Sequence, residues 1–233
     1  MKQKNRNHFN TIWQRKLERQ STTGQSVSLN RRVEKASKVL KGGSRLLDIG
    51  CGNGELLLAV QKRYHEVYGI DIAEAALNSA RKNGINVQAV DLNREDLPFP
   101  DQYFDTLTIL STLQYFQDLY FVLGECNRVL SPSGVLLLSV PNMRSFWRIG
   151  RLLLQGSFPR VSLDQEGYDG GTLHYFAYAN LKHLLHETGF EVLLAHGIFC
   201  LPRFLEGFPD GGPPGNIKRE FFSAETFVMA RKR

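Results

Sequence analysis

Leu46-Leu47-Asp48-Ile49-Gly50-Cys51-Gly52-Asn53-Gly54-Glu55 is the stretch that decides the fold. It reads as a buried strand that runs into a glycine-rich turn and then a helix. Gly50, Gly52 and Gly54, at alternate positions, let backbone approach a ligand where a Cβ would clash. The helix that follows aims its N-terminal N–H groups at the same place. Asp71 closes a second strand 17 residues after Gly54. A carboxylate there suits the hydroxyls of a ribose, so the layout predicts a nucleoside-bearing cofactor.

Strands and helices alternate outward from this stretch. Apolar runs predict strands over 45–49, 66–70, 87–90, 104–110, 134–140, 190–195 and 225–230. Helical spacing predicts helices over 55–64, 73–82, 119–130 and 180–188. Strands separated by helices imply an α/β fold, a Rossmann-like doubly wound parallel sheet covered on both faces. Residues 1–40 read as an N-terminal helical cover. Phe9, Ile12, Trp13 and Leu17 recur at helical spacing, 21–26 is a polar break, and a second helix over 31–40 ends at Gly42-Gly43. Residues 41–233 read as a single domain with insertions at about 141–177 and 200–222. The second insertion holds the loop-forming run Pro209-Asp210-Gly211-Gly212-Pro213-Pro214-Gly215.

Charge placement narrows the function classes. The chain of 233 residues has a net charge of +6, but residues 1–20 carry +5 and the last three residues +3. The body is therefore near neutral, and no basic stripe with interleaved aromatics runs through it. Nucleic acid is not the expected partner. The N-terminus has no apolar segment, so it is not read as a secretory signal, and the longest apolar runs are too short to span a bilayer. Cys51, Cys126 and Cys200 form no CxxC pair. Neither a disulfide framework nor a zinc site is expected, which fits a reducing cytoplasm.

Four motifs in order now carry a resemblance. They are DxGxGxG at Asp48, Gly50, Gly52 and Gly54, then Tyr68-Gly69-Ile70-Asp71-Ile72, Ala89-Val90-Asp91-Leu92, and Phe99-Pro100-Asp101-Gln102-Tyr103-Phe104-Asp105. Over roughly residues 30–200 the chain resembles the class I S-adenosylmethionine-dependent methyltransferases. The resemblance implies a seven-stranded, mostly parallel sheet with an antiparallel last strand and a lid insertion after strand five. It implies S-adenosyl-L-methionine as cofactor and S-adenosyl-L-homocysteine as product. Asp71 would accept both ribose hydroxyls and Ile72 would pack on the adenine. Asp91 would take the adenine amine with the Leu92 backbone nearby, and Leu110 and Ser111 would lie beneath the methionine part. A dinucleotide site is the rival reading, but the third glycine falls one position early and Glu55 would repel a pyrophosphate. Asp71 and Asp91 each also suit a helix cap or turn. Asp48 suits hydrogen bonding to the turn backbone, and Cys51 a small packed residue rather than a nucleophile.

The acceptor side is less specific. Methyl transfer to oxygen needs a proton removed, so a histidine or carboxylate is expected near the methyl. Gly170-Gly171-Thr172-Leu173-His174-Tyr175-Phe176 resembles the His- and Phe-bearing lead into the last helix of methyltransferases acting on quinone precursors, glycans or lipid heads. His174 is the candidate base or acceptor-orienting group, against a structural histidine that pins the lid. Tyr115 either lines the acceptor pocket or packs at a helix start. His183 and His186 stand at i and i+3 with no Glu to complete a metal pattern, so no metal site is expected. Arg144, Arg148 and Arg151 recur at i, i+4 and i+7. They read as a solvated face, or as a row that holds an anionic acceptor or rests weakly on a membrane surface. Ser139-Val140-Pro141-Asn142, Trp147-Arg148, Leu152-Leu153-Leu154 and Tyr168-Asp169 resemble the methionine-biosynthesis MetW proteins. Two functions follow as expectations. One is a methyltransferase for a small-molecule or lipid-like acceptor, with oxygen preferred. The other is a cofactor-binding partner protein with little catalysis of its own.

Overall fold

The computed structural model describes residues 2–23, 31–157, 172–199 and 217–233. The Gly-Pro run at 209–215 and the Tyr168-Asp169 pair lie outside them.

The alternation expected from the sequence is realised. Strands β1 (Gly43–Ile49), β2 (Tyr64–Asp71), β3 (Asn86–Ala89), β4 (Phe104–Leu110), β5 (Leu130–Pro141), β6 (Phe190–Phe199) and β7 (Ser223–Lys232) form one sheet. Its order is β3-β2-β1-β4-β5-β7-β6. Strands β1 to β5 pair in parallel, and β7 runs antiparallel to both β5 and β6. The order reverses between β1 and β4, where open α/β sheets leave a crevice at the carboxyl edge.

Alternate residues of each strand face opposite layers. Leu47, Ile49, Leu107 and Leu138 enter a core closed by α5 (Leu119–Val129) and α7 (Tyr178–Glu187). Leu46, Tyr64 and Leu137 face a second core closed by α2 (Arg31–Val39), α3 (Glu55–Val60) and α4 (Glu74–Lys82). With both faces covered, near-continuous apolar strands such as Leu136-Leu137-Leu138 are what the sheet requires.

Several bounds differ from the sequence reading. Helix α1 runs over Lys2–Thr23, so it starts before Phe9 and continues into the expected polar break. Helix α3 stops at Val60, a 3-10 turn covers Gln61–Arg63, and Tyr64 joins β2 opposite Gly43. Strand pairing there prevails over helical spacing. Strands β5, β6 and β7 each extend beyond the expected ends, because pairing along β7 satisfies their backbone groups. Inside the first insertion, α6 covers Phe146–Gln155, and α8 covers Ile217–Phe222.

Candidate functional site

Asp48 and Asp71 stand at the centre of the crevice. Asp48 faces Gly69 of β2 and Thr108 of β4 in register, and Asp71 ends β2. The turn between β1 and α3 is tied down by the Gly50 and Cys51 N–H groups, which both donate to the Ile70 carbonyl at 2.8 and 3.0 Å. Asp71 Oδ2 accepts from Gly52 N and its Oδ1 from Ala73 N, each at 2.8 Å. One carboxylate thus binds the glycine turn and caps the approach to α4. Each oxygen keeps a lone pair for a further donor.

Asp48 makes a different contact from the expected one. Its Oδ1 accepts from the Thr108 hydroxyl at 2.6 Å, across the β1–β4 pair. Burial pushes its carboxyl up to about 7, and the nearby Asp71 charge adds to this. Burial also raises Asp71, against the N–H groups of Ala73, Gly52 and Ile72. Neither carboxylate has an ion-pair partner among the described residues. Two desolvated acids without a cation suit a ligand that brings positive charge. S-adenosylmethionine carries a sulfonium and an ammonium, so the donor set fits it. Cys51 is buried and its thiol is pushed well up by that burial and by Asp71 and Asp48, which leaves it without thiolate character.

The glycines have a role that the spacing did not show. Gly50, Gly52 and Gly54 all hold positive φ, at 75°, 54° and 78°. A Cβ on Gly50 would lie 2.4 Å from Thr112 Oγ1, and one on Gly52 would lie 2.3 Å from Trp13 Cζ2. Protein side chains therefore already approach two of the three positions. Trp13 belongs to α1, and Asn10 one turn earlier accepts from Ala75 N at 3.1 Å. Phe9 meets the Tyr115 ring edge-on at 5.3 Å. Helix α1 thus lies across the carboxyl edge from α4 to the end of β4. Sequence spacing gave Trp13 only as an apolar face residue.

Asp91 is buried beyond the end of β3 and pairs with Arg94 at 2.9 Å, while Asn93 N donates to its Oδ1 at 3.2 Å. The turn role weighed for it is present in this geometry. Leu92 packs in the core, and Ile72 is half-buried beside Asp71. A cavity of about 260 Å³ lined by Leu92, Asn93, Arg94, Gln117, Asp118 and Phe121 opens beside Asp91. Leu110 ends β4, and Ser111 after it holds a positive φ of 54°, a strained non-glycine position at the crevice.

His174 reaches the same edge. Its N–H and that of Leu173 donate to the Gln114 carbonyl at 3.2 and 3.0 Å, which fixes this segment against the 3-10 turn Leu113–Tyr115 after β4. His174 Nε2 is enclosed and has no hydrogen-bond partner. His183 lies on the outer face of α7, 3.3 Å from Glu187. The arginine row is not an open cationic face. Arg144 pairs with Glu220 at 2.8 Å, and Arg148 donates to the carbonyls of Asn142 and Ala224 at 2.7 and 2.6 Å. Arg144 ties the segment before α6 to α8, Arg148 ties α6 to β7, and Arg151 donates to Gln155 at 3.0 Å. Arg144 and Arg148 therefore serve packing, while Arg151 is exposed.

Residues 47–138 match the family model described as a methyltransferase domain. The chain is also 34% identical to a demethylmenaquinone methyltransferase of Thermus thermophilus over 184 residues, covering 69% of this chain and 82% of that protein. The chain belongs to the class I S-adenosylmethionine-dependent methyltransferases. Its cofactor is therefore S-adenosylmethionine. A second relative is the bifunctional methionine biosynthesis protein MetXA/MetW of Rhodopirellula baltica, 32% identical over 125 residues and 50% of this chain. The chain spans 20% of that protein's length, and 53% of a demethylmenaquinone methyltransferase from Staphylococcus carnosus. Among solved structures, a methyltransferase of Thermotoga maritima described as a possible histamine N-methyltransferase superposes with a TM-score of 0.63 at 21% identity, over 87% of this chain and 88% of that one. At that identity the likeness speaks for the fold. No helix among the described residues is long and apolar enough to cross a membrane.

Proposed function

We propose that this methyltransferase acts on a small-molecule or lipid-like acceptor and transfers the methyl group to oxygen. The observation that carries this is His174 Nε2, enclosed and unpartnered, on a segment bonded to the turn that follows β4. The cofactor supplies an electrophilic methyl on sulfur. In this reading the acceptor oxygen gains the methyl carbon as the carbon–sulfur bond breaks, with its electron pair going to sulfur. The hydroxyl proton passes to His174 Nε2. Asp71 takes the ribose hydroxyls, with Ile72 against the adenine. Asp91 and Leu92 hold the adenine edge, and Leu110 with the Gly50–Gly54 turn supports the methionine part. Asp48 completes the negative field around the sulfonium. Free, buried Cys51 and Cys126 fit a reducing, cytoplasmic setting.

A panel of hydroxylated acceptors tests this, with His174→Ala as the variant. Loss of about 10²-fold or more in kcat with unchanged cofactor affinity is expected for a general base. Unchanged turnover in the variant removes His174 from the chemistry. The likeness to the MetW portion of the bifunctional protein favours a second reading, a cofactor-binding partner with little catalysis. A stoichiometric protein complex together with no turnover on the panel is the result that selects it.

A further inference from the structure

Buried polar atoms without partners are rare in folded proteins, because each has given up a hydrogen bond to water. Three lie on two segments that are bonded to each other. They are Gln114 Oε1, Thr172 Oγ1 and His174 Nε2. Gln114 is 1% exposed and Thr172 3%. The Gln114 carbonyl accepts from Leu173 N and His174 N. The Gln114 amide is held by its other end, where Nε2 donates to the Ser111 carbonyl at 2.8 Å. That contact needs a donor, so the unpartnered atom is the oxygen, which can only accept.

The two segments meet at the carboxyl end of β4. Gln114 follows Thr112, whose side chain fills the space over Gly50, and Ser111 carries the positive φ at the end of β4. None of the three groups is a carboxylate, a lysine or an arginine. Of the described arginines in the first insertion, Arg144 and Arg148 are engaged with Glu220 and backbone carbonyls, and Arg151 with Gln155. An anion or a cation would meet no counter-charge from these groups, whereas hydroxyl hydrogens would satisfy them.

We propose that Gln114, Thr172 and His174 form the acceptor subsite, and that it takes an uncharged acceptor with a reacting hydroxyl and a second hydroxyl beside it. The reacting O–H donates to His174 Nε2, Thr172 Oγ1 donates to that oxygen, and the second O–H donates to Gln114 Oε1. This rests on the methyltransferase reading above and names the substrate class of the same site.

Protein saturated with S-adenosylhomocysteine tests it by calorimetry or ligand-observed NMR with catechol, phenol and benzoate as probes. Catechol is expected to bind more tightly than phenol, and benzoate most weakly. Thr172→Val removes only an unpartnered hydroxyl. It should weaken catechol about tenfold, the effect of one lost hydrogen bond of roughly 1.4 kcal/mol, and leave the melting temperature at or above wild type. S-adenosylhomocysteine affinity should be unchanged in that variant. Gln114→Leu should reduce the preference for catechol over phenol. Benzoate binding as tight as catechol, no detectable catechol binding, or a Thr172→Val variant that melts lower yet binds catechol normally overturns the assignment. Failure of S-adenosylhomocysteine itself to bind would instead overturn the methyltransferase reading.

Discussion

Replacing Asp48 by Asn is expected to stabilise the ligand-free protein at alkaline pH while weakening its cofactor affinity. Asp48 is 4% exposed, its carboxyl is pushed up from 3.8 to about 7, and its hydrogen-bond partner is the Thr108 hydroxyl. Between those two pH values the folded state holds a proton that the unfolded chain has released. Stability therefore falls as pH rises through this window. Below about 4 both states are protonated and the penalty is absent; above about 7 it is complete. A gap of about three pH units at 1.36 kcal/mol each gives a penalty of about 4 kcal/mol. Asparagine has the same shape and no charge, so it removes the penalty. Its amide N–H atoms find no ready acceptor, which offsets about 1–3 kcal/mol. A net gain of roughly 2 kcal/mol at pH 8 corresponds to a rise of about 4–8 °C in melting temperature for a chain of this size. Calorimetric melting of both proteins at pH 4 and pH 8 reads this directly. The advantage of Asp48→Asn should shrink as pH falls. A stability difference that does not change with pH, or a variant less stable at pH 8, refutes the reasoning. In the same variant the affinity for S-adenosylmethionine should drop more than that for S-adenosylhomocysteine, because the sulfonium charge is lost only in the product.

Two further outcomes follow from the packing. Gly52→Ala places a methyl group 2.3 Å from the Trp13 ring at a φ of 54°. It should cost about 1–2 kcal/mol of backbone strain plus the displaced contact with α1. Adding Trp13→Ala should restore the second part and leave the first. A double-mutant cycle by urea unfolding measures the difference, and strict additivity would rule out the contact. Arg128 donates to the carbonyls of Leu97 and Phe99 and pairs with Glu125 and Asp101. Arg128→Met should lower stability by about 1–3 kcal/mol, since two carbonyls lose their donor and Glu125 keeps only the Leu97 N–H. A urea midpoint within error of wild type would show that the loop over 97–101 holds without it.

The centre of the fold was legible because its signals are local. Continuous apolar runs fix the parallel strands, and the glycines at Gly50, Gly52 and Gly54 mark a turn whose positive φ few other residues adopt. Strand β4 falls on its expected residues for the same reason. Contacts between distant residues were not legible. Asp48 could be placed at the turn, but its partner Thr108 is 60 residues away. The arginine spacing put three residues on one helix face, but Arg144 lies ahead of α6, and Glu220, which engages it, lies 76 residues on. Helix α7 begins at Tyr178 rather than Asn180, and the Tyr178 N–H donates to Glu220 Oε1, 42 residues away. Trp13 over Gly52 and the Gln114–His174 pairing are of the same kind. Periodicity gives a residue its face but not its neighbour.

Every role assigned at the crevice depends on Asp71 and the glycine turn holding S-adenosylmethionine. Isothermal titration of the purified chain with S-adenosylmethionine, beside Asp71→Ala, tests it most directly. The prediction is saturable one-to-one binding that the substitution abolishes while the fold is retained by circular dichroism. Absence of saturable binding to the wild-type chain, or equal affinity in Asp71→Ala, would contradict it.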